Sequence, residues 1–212
     1  MPRRARAALG GLVYHVLNRG NERRTIFHKR GDARAFIQLM AEAKQQVPVR
    51  LLAFCLMGNH WHLVLWPAHG CDSDLSDFMA WLTNAHVRRY RKHYNNDGAG
   101  HVYQGRFKSF PVQGGGPGEA NVHLLRTIRY VEANARRAGL VERAIDWPWS
   151  SLAWHAQGNP GGLLDSPSTA PITGTNSSRK SSPPPNWSKS AAAPTAVGHT
   201  DTTVGSGKPP GP

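Results

Sequence analysis

Two apolar runs joined by a two-residue turn constrain this chain more than any other feature. Val49 to Met57 (VRLLAFCLM) and His60 to Trp66 (HWHLVLW) flank Gly58-Asn59. Such runs on either side of a Gly/Asn pair predict a β-hairpin, and the first is apolar enough to be a buried strand. Around the hairpin the pattern alternates. Leu12 to Asn18 (LVYHVLN) is rich in β-branched and aromatic residues and predicts a strand. Asp32 to Gln46 places Phe36, Ile37, Leu39, Met40 and Ala43 at helical spacing, with Asp32 as an N-cap and Pro48 as a stop. After the loop at Pro67 to Cys71, a second helix is predicted from Asp74 to about Tyr94, burying Leu75, Phe78, Leu82, Ala85 and Val87. Val102 to Val112 predicts a strand bent near Gly105.

The GGGPG stretch at 114–118 is expected to be a flexible link, followed by a third helix predicted from about Asn121 to Ala138. The aromatic segment Asp146 to His155 should pack back on the domain. The order β-α-β-β-α-β plus a helix is an α+β, ferredoxin-like split β-α-β pattern: an antiparallel sheet with two helices on one face.

Charge and composition divide the 212 residues in two. The net charge is +13, from 26 Lys and Arg against 13 Asp and Glu. Residues 1–160 carry +11 of it, and point to a polyanionic partner. In 161–212, 32 of the 52 residues are Pro, Gly, Ser or Thr, so this stretch is expected to be a disordered tail. No apolar run reaches the ~20 residues of a bilayer span. The basic N-terminus lacks a continuous apolar stretch, so no signal peptide is expected. The two cysteines, Cys55 and Cys71, make no disulfide framework, and a cytoplasmic location is expected.

Two clusters carry chemistry. His60 and His62 flank Trp61 on a predicted strand, so both imidazoles face one side and can converge on a metal ion, or lie as two polar groups on a wet face. With no Cys ligand and with phosphate oxygens as further donors, Mg²⁺ or Mn²⁺ suits such a pair better than a closed zinc site. On the third helix, with Leu124, Leu125, Ile128, Val131 and Ala135 as its buried stripe, Tyr130 and Asn134 stand one turn apart on one face. They suit a nucleophile beside a metal ligand, or equally a half-buried phenol and an exposed amide. Basic residues surround these clusters. Arg88, Arg89, Arg91 and Lys92 end the second helix, with Tyr90 and Tyr94 between and beside them as stacking surfaces. Gln104, Arg106 and Lys108 follow on the last strand, and Arg129 on the third helix. Arg3, Arg4 and Arg6 form an N-terminal arm.

The segments YHVLNRGN (14–21), LMGNHWHLV (56–64), HVYQGRFKSF (101–110) and LRTIRYVEANARRAGLV (125–141), followed by WPWSS (147–151), stand in the same order and spacing as in REP-associated tyrosine transposases. Residues 8–155 resemble these single-tyrosine proteins of the His-hydrophobe-His class. The resemblance implies a metal-dependent single-stranded DNA transesterase that nicks and rejoins DNA beside hairpins through a 5′-phosphotyrosine. It makes Tyr130 the nucleophile, and His60, His62 and Asn134 the ligands of Mg²⁺ or Mn²⁺. Single-stranded DNA with a hairpin is the implied partner, with the protein a monomer or homodimer. Its alternatives are a decayed relative that binds hairpin DNA or RNA without cleavage, and a nuclease using water. Three departures stand out: the long GGGPGEAN link, Asn134-Ala135 in place of Asn-Pro, and Gly58-Asn59 in place of Pro-Asn.

Overall fold

The structure, a computed structural model, describes residues 8–95, 100–112 and 119–167. The predicted hairpin is its centre. Strand β2 (Val49–Met57) turns at Gly58-Asn59 into β3 (His60–Pro67). Strand β1 (Tyr14–Arg19) pairs antiparallel with β3, and β4 (Lys108–Pro111) pairs antiparallel with the other side of β1. The sheet order β2-β3-β1-β4 is that of the split β-α-β fold. The last strand is much shorter than the expected 102–112. Only Tyr103 makes a bridge, to Gly20, before the chain bends. The bend is held by Asn18, whose amide donates to the Gly105 carbonyl, and by the Gln104 N–H, which donates to Arg19.

Alternation on β3 decides which layer each side chain meets. Trp61 is fully buried on one face, under α1 (Arg30–Gln46) and α2 (Asp74–Tyr94), its ring against Phe36. Asp32 is not the N-cap of α1 but its third residue: its carboxylate accepts from the Lys29 and His28 N–H groups, while Lys29 is the cap. On α2 the core positions after Ala85 are His86 and Tyr90 rather than Val87. His86 Nδ1 lies 2.7 Å from the Tyr103 hydroxyl, which accepts from the Trp61 indole N–H at 3.0 Å.

Burial pushes His86 down to about 4, against Asp32, which raises it, and with Arg89, which lowers it. In the unfolded chain His86 titrates near 6.5, so the unfolded state binds a proton that the fold refuses between these values. This stabilisation is complete above pH 6.5 and is lost as the pH falls toward 4. Urea unfolding at pH 7.5 and 4.5 should show wild type losing on the order of 2 kcal/mol more than His86→Gln across that window. Equal losses in the two proteins would refute the assignment.

The opposite face of the sheet receives α3 (Glu119–Glu132) and the short α4 (Asn134–Arg137). The single expected helix is thus broken at Ala133. It ends at Gly139, with φ of 70°, where the Leu140 N–H reaches back to the Ala135 carbonyl. Leu124, Val131 and Ala135 pack on Leu52, Ala53, Cys55, Met57 and Val64; Ile128 is partly buried, and Leu125 is exposed. Leu52 and Ala53 both reach this cluster because the β2–β3 register shifts between Leu51 and Ala53. Cys55 is a small buried hydrophobe whose thiol is pushed up to about 12 by burial.

The free edge of β2 is covered by the aromatic segment, as expected. Leu56 N–H donates to the Trp149 carbonyl, the Trp147 indole donates to the Leu56 carbonyl, and α5 (Ser151–Ala156) follows. The packed region runs past the expected boundary at 160. Leu163 and Leu164 are buried; the Asp165 N–H donates to the Leu51 carbonyl, and its carboxylate accepts from the Leu51 N–H and pairs with Lys44 at 2.5 Å. Apolar burial and one ion pair hold these residues where composition predicted none. The remaining tail, the 114–118 link and the arm of Arg3, Arg4 and Arg6 lie outside the described residues.

Gly20 closes β1 with no room for a side chain: a Cβ there would run into the carbonyl oxygen of Arg24. Its N–H donates to the Asn59 carbonyl at 2.8 Å, so any shift disturbs the turn before His60. Gly20→Ala is therefore expected to cost about 1–3 kcal/mol. A urea midpoint unchanged from wild type would refute this.

Candidate functional site

His60 and His62 project from the face of β3 opposite Trp61, and their ring centroids are 5.1 Å apart. Each has one ring nitrogen engaged. The Asn59 amide nitrogen donates to the Arg23 carbonyl, which turns its Oδ1 toward His60 Nδ1, 2.6 Å away. A carbonyl oxygen only accepts, so His60 Nδ1 carries the proton and Nε2 keeps its lone pair. His62 Nδ1 lies 3.0 Å from Nε2 of His15, leaving His62 Nε2 free. Burial lowers all three imidazoles: His62 to about 3, helped by His15, His60 and Arg19, and His60 with help from Arg19. They are therefore neutral at pH 7, the form in which imidazole binds a metal.

His15 is the residue that sequence reasoning missed. Nothing local marks it. Only the β1–β3 register, with Leu17 opposite His62 and His15 opposite Val64, puts it diagonally beside His62. The two rings stack at 5.2 Å.

Tyr130 completes the cluster from the helical layer. Its ring is 5.8 Å from His15 and 6.4 Å from His62, both edge-on, with the Arg137 guanidinium 4.7 Å from its centroid. It is 43% exposed, which leaves the phenol accessible. Its helix is fixed close by: the Ser151 hydroxyl donates to the buried carboxylate of Glu132 at 2.7 Å and accepts from the Phe54 N–H. Asn134 lies one turn on. Its amide nitrogen donates to the Tyr130 and Val131 carbonyls, which leaves Oδ1 as its available donor atom. Two neutral imidazoles with free Nε2 atoms can ligate a divalent ion, while the side-chain contacts of Asn134 are to its own helix and none reaches either histidine. Among the described residues there is no group of three or more His, Cys, Asp or Glu arranged to hold a metal.

The basic candidates fall into two sets. Lys108 on β4 is exposed and stands opposite Leu17, on the same sheet face as His62; Arg129 is exposed on α3. Arg88, Arg89, Arg91 and Lys92 belong to α2, the layer on the Trp61 side, and are not brought to His60 and His62. Tyr90, a proposed stacking surface, is buried and shares a hydrogen bond with His28, and the Tyr94 hydroxyl donates to Asp32. Arg91 and Arg106 do converge, with Asn84, His101 and Phe107, on a groove of about 1030 Å³ beside α2. Gln104 is exposed at the bend before β4. No helix among the described residues is long and apolar enough to cross a membrane.

Comparison with known proteins gives the family and the fold. The family model described as "Transposase IS200 like" matches residues 8–134. Among solved structures, the fold is similar to that of a REP-associated tyrosine transposase bound to a REP hairpin. The two share 16% identity at a TM-score of 0.56, over 86% of this chain and 100% of that one. A protein from Deinococcus radiodurans R1 assigned as a transposase aligns over 61% of this chain and 97% of that one, with 17% identity and a TM-score of 0.38. No curated protein matches.

Proposed function

Because the chain belongs to the IS200-like transposase family, we propose that it nicks and rejoins single-stranded DNA beside a hairpin, with Tyr130 as nucleophile. The observation that carries this reading is the convergence of an exposed phenol on His62 and His15 from a separate layer of the fold. The Tyr130 oxygen attacks the scissile phosphorus in line. One P–O bond forms to Tyr130 and one breaks to the 3′ oxygen, which takes up a proton as the phenol gives one up. The link is a 5′-phosphotyrosine. Attack on it by a 3′-hydroxyl reverses the exchange, so rejoining needs no external energy source. Arg137, over the Tyr130 ring, and Arg19, opposite His60 in the sheet, bring positive charge toward the phosphate. His60 Nε2, His62 Nε2 and Asn134 Oδ1 would hold Mg²⁺ or Mn²⁺. When bound, the ion neutralises charge on the phosphate oxygens. A hairpin substrate is supported by the hairpin held in the similar solved structure, and a polyanionic partner by the net charge of +13.

Incubation with a hairpin-bearing single-stranded oligonucleotide and Mn²⁺ should give a protein–DNA adduct that survives SDS and is abolished by EDTA. Cleavage without an adduct would favour water as nucleophile. Binding without cleavage would favour a purely binding protein.

His15 acts in this reading through His62, fixing the ring by its contact with Nδ1. His15→Ala should raise the Mn²⁺ concentration giving half-maximal adduct about 10- to 100-fold, with partial rescue by His15→Gln. An unchanged Mn²⁺ titration would remove His15 from the site.

A further inference from the structure

We propose that the half of the sheet face left open beside His15 seats an unpaired DNA base, stacked on Phe110. This rests on the reading that the scissile phosphate lies at His60, His62 and Tyr130.

The open half-face follows from how the last helices pack. Leu124, Val131 and Ala135 cover β2 and β3 through Ala53, Cys55, Met57 and Val64. The same face of β1 and β4 carries His15, Leu17, Arg19, Lys108 and Phe110. None of these is fully buried, and Phe110 is 52% exposed. A half-bare phenyl ring on a four-residue edge strand forgoes much of the stabilisation that burial would yield.

Its position gives that ring a use. Phe110 stands directly opposite His15 in the β1–β4 register, with ring centroids 6.4 Å apart and planes tilted by 39°. His15 contacts both His62 and Tyr130. Strands lie about 4.8 Å apart, so a base on Phe110 is a near neighbour of a phosphate at His62, two strands away. Lys108, two residues before it on the same face, is exposed, and Arg19 stands opposite His60 in the sheet. An aromatic face flanked by cations matches a base joined to phosphates and does not match an apolar protein segment. Because stacking between neighbouring base pairs covers the base faces in a duplex, the seat selects unpaired DNA.

The test is equilibrium binding, by anisotropy in EDTA, of a labelled mixed-sequence 20-nucleotide single strand and of the corresponding 20-base-pair duplex. Stacking on one aromatic ring predicts about 5- to 100-fold weaker single-strand binding for Phe110→Ala, with duplex binding unchanged. Phe110→Leu, which keeps an apolar side chain, should be nearly as weak. Phe110→Trp should match or exceed wild type. Circular dichroism checks that each variant is folded. Wild-type affinity in Phe110→Leu, equal losses on single strand and duplex, or no single-strand binding by wild type would each overturn the proposal. The adduct assay reads Tyr130 separately. An adduct with no Phe110 effect sinks only the base seat. A Phe110 effect with no adduct sinks only the transesterase reading.

Discussion

Tyr130→Phe is expected to abolish the covalent protein–DNA adduct and to lower cleavage by at least about a thousandfold, as removal of a nucleophile does. The substitution removes one oxygen and leaves the ring, so its edge contacts with His15 and His62 and its cation–π contact with Arg137 should persist. The phenol is exposed and no hydrogen bond of the core is lost, so the thermal midpoint should stay within a degree or two of wild type, as for most surface changes. Single-strand binding should also be unchanged. That combination separates chemistry from folding and from recognition. Residual cleavage at the wild-type rate in Tyr130→Phe would assign the reaction to another nucleophile.

Trp61→Ala should have the largest effect on stability, about 3–5 kcal/mol. The indole is fully buried between the sheet and α1, against Phe36 and Tyr103, and its N–H satisfies the Tyr103 hydroxyl. Truncation leaves a large cavity and takes away a donor at a buried oxygen. For a domain of this size the midpoint should fall by about 10 °C in a circular dichroism melt. Trp61→Phe, which keeps most of the volume but not the N–H, should lose roughly a third as much. A fall of only a degree or two for Trp61→Ala would mean that the Trp61 layer is not the core. Since Trp61 lies between His60 and His62, the residue that anchors the strand also fixes which face the two imidazoles occupy.

Local signals carried much of this. The Gly58-Asn59 turn, the helical spacing of Phe36, Ile37, Met40 and Ala43, and the two-residue period of His60 and His62 each depend on neighbours in sequence, and each is present in the fold. What escaped depends on pairing between distant segments. His15 gains its position only from the β1–β3 register, and Phe110 only from β1–β4. The last strand is shorter because the Asn18 amide donates to the Gly105 carbonyl and the Arg19 carbonyl accepts from the Gln104 N–H, a tertiary constraint that strand propensity does not record. Leu125 looked like a core position, yet the helix covers only half of the sheet, which narrows its buried stripe. The Arg and Lys run of α2 read as part of one basic surface until the layer order separated it from His60 and His62.

The clamp between Glu132 and Ser151 gives α3 the mechanics of a lever. At 1.5 Å of rise per residue, Tyr130 stands about 3 Å along the axis from that fulcrum, and Val122 about 15 Å. A tilt about the clamp therefore displaces Tyr130 by only about a fifth of what it displaces Val122. Because Tyr130 branches from the backbone so near this fixed point, the bond that seats α3 on β2 also limits how far the Tyr130 backbone can move relative to the sheet.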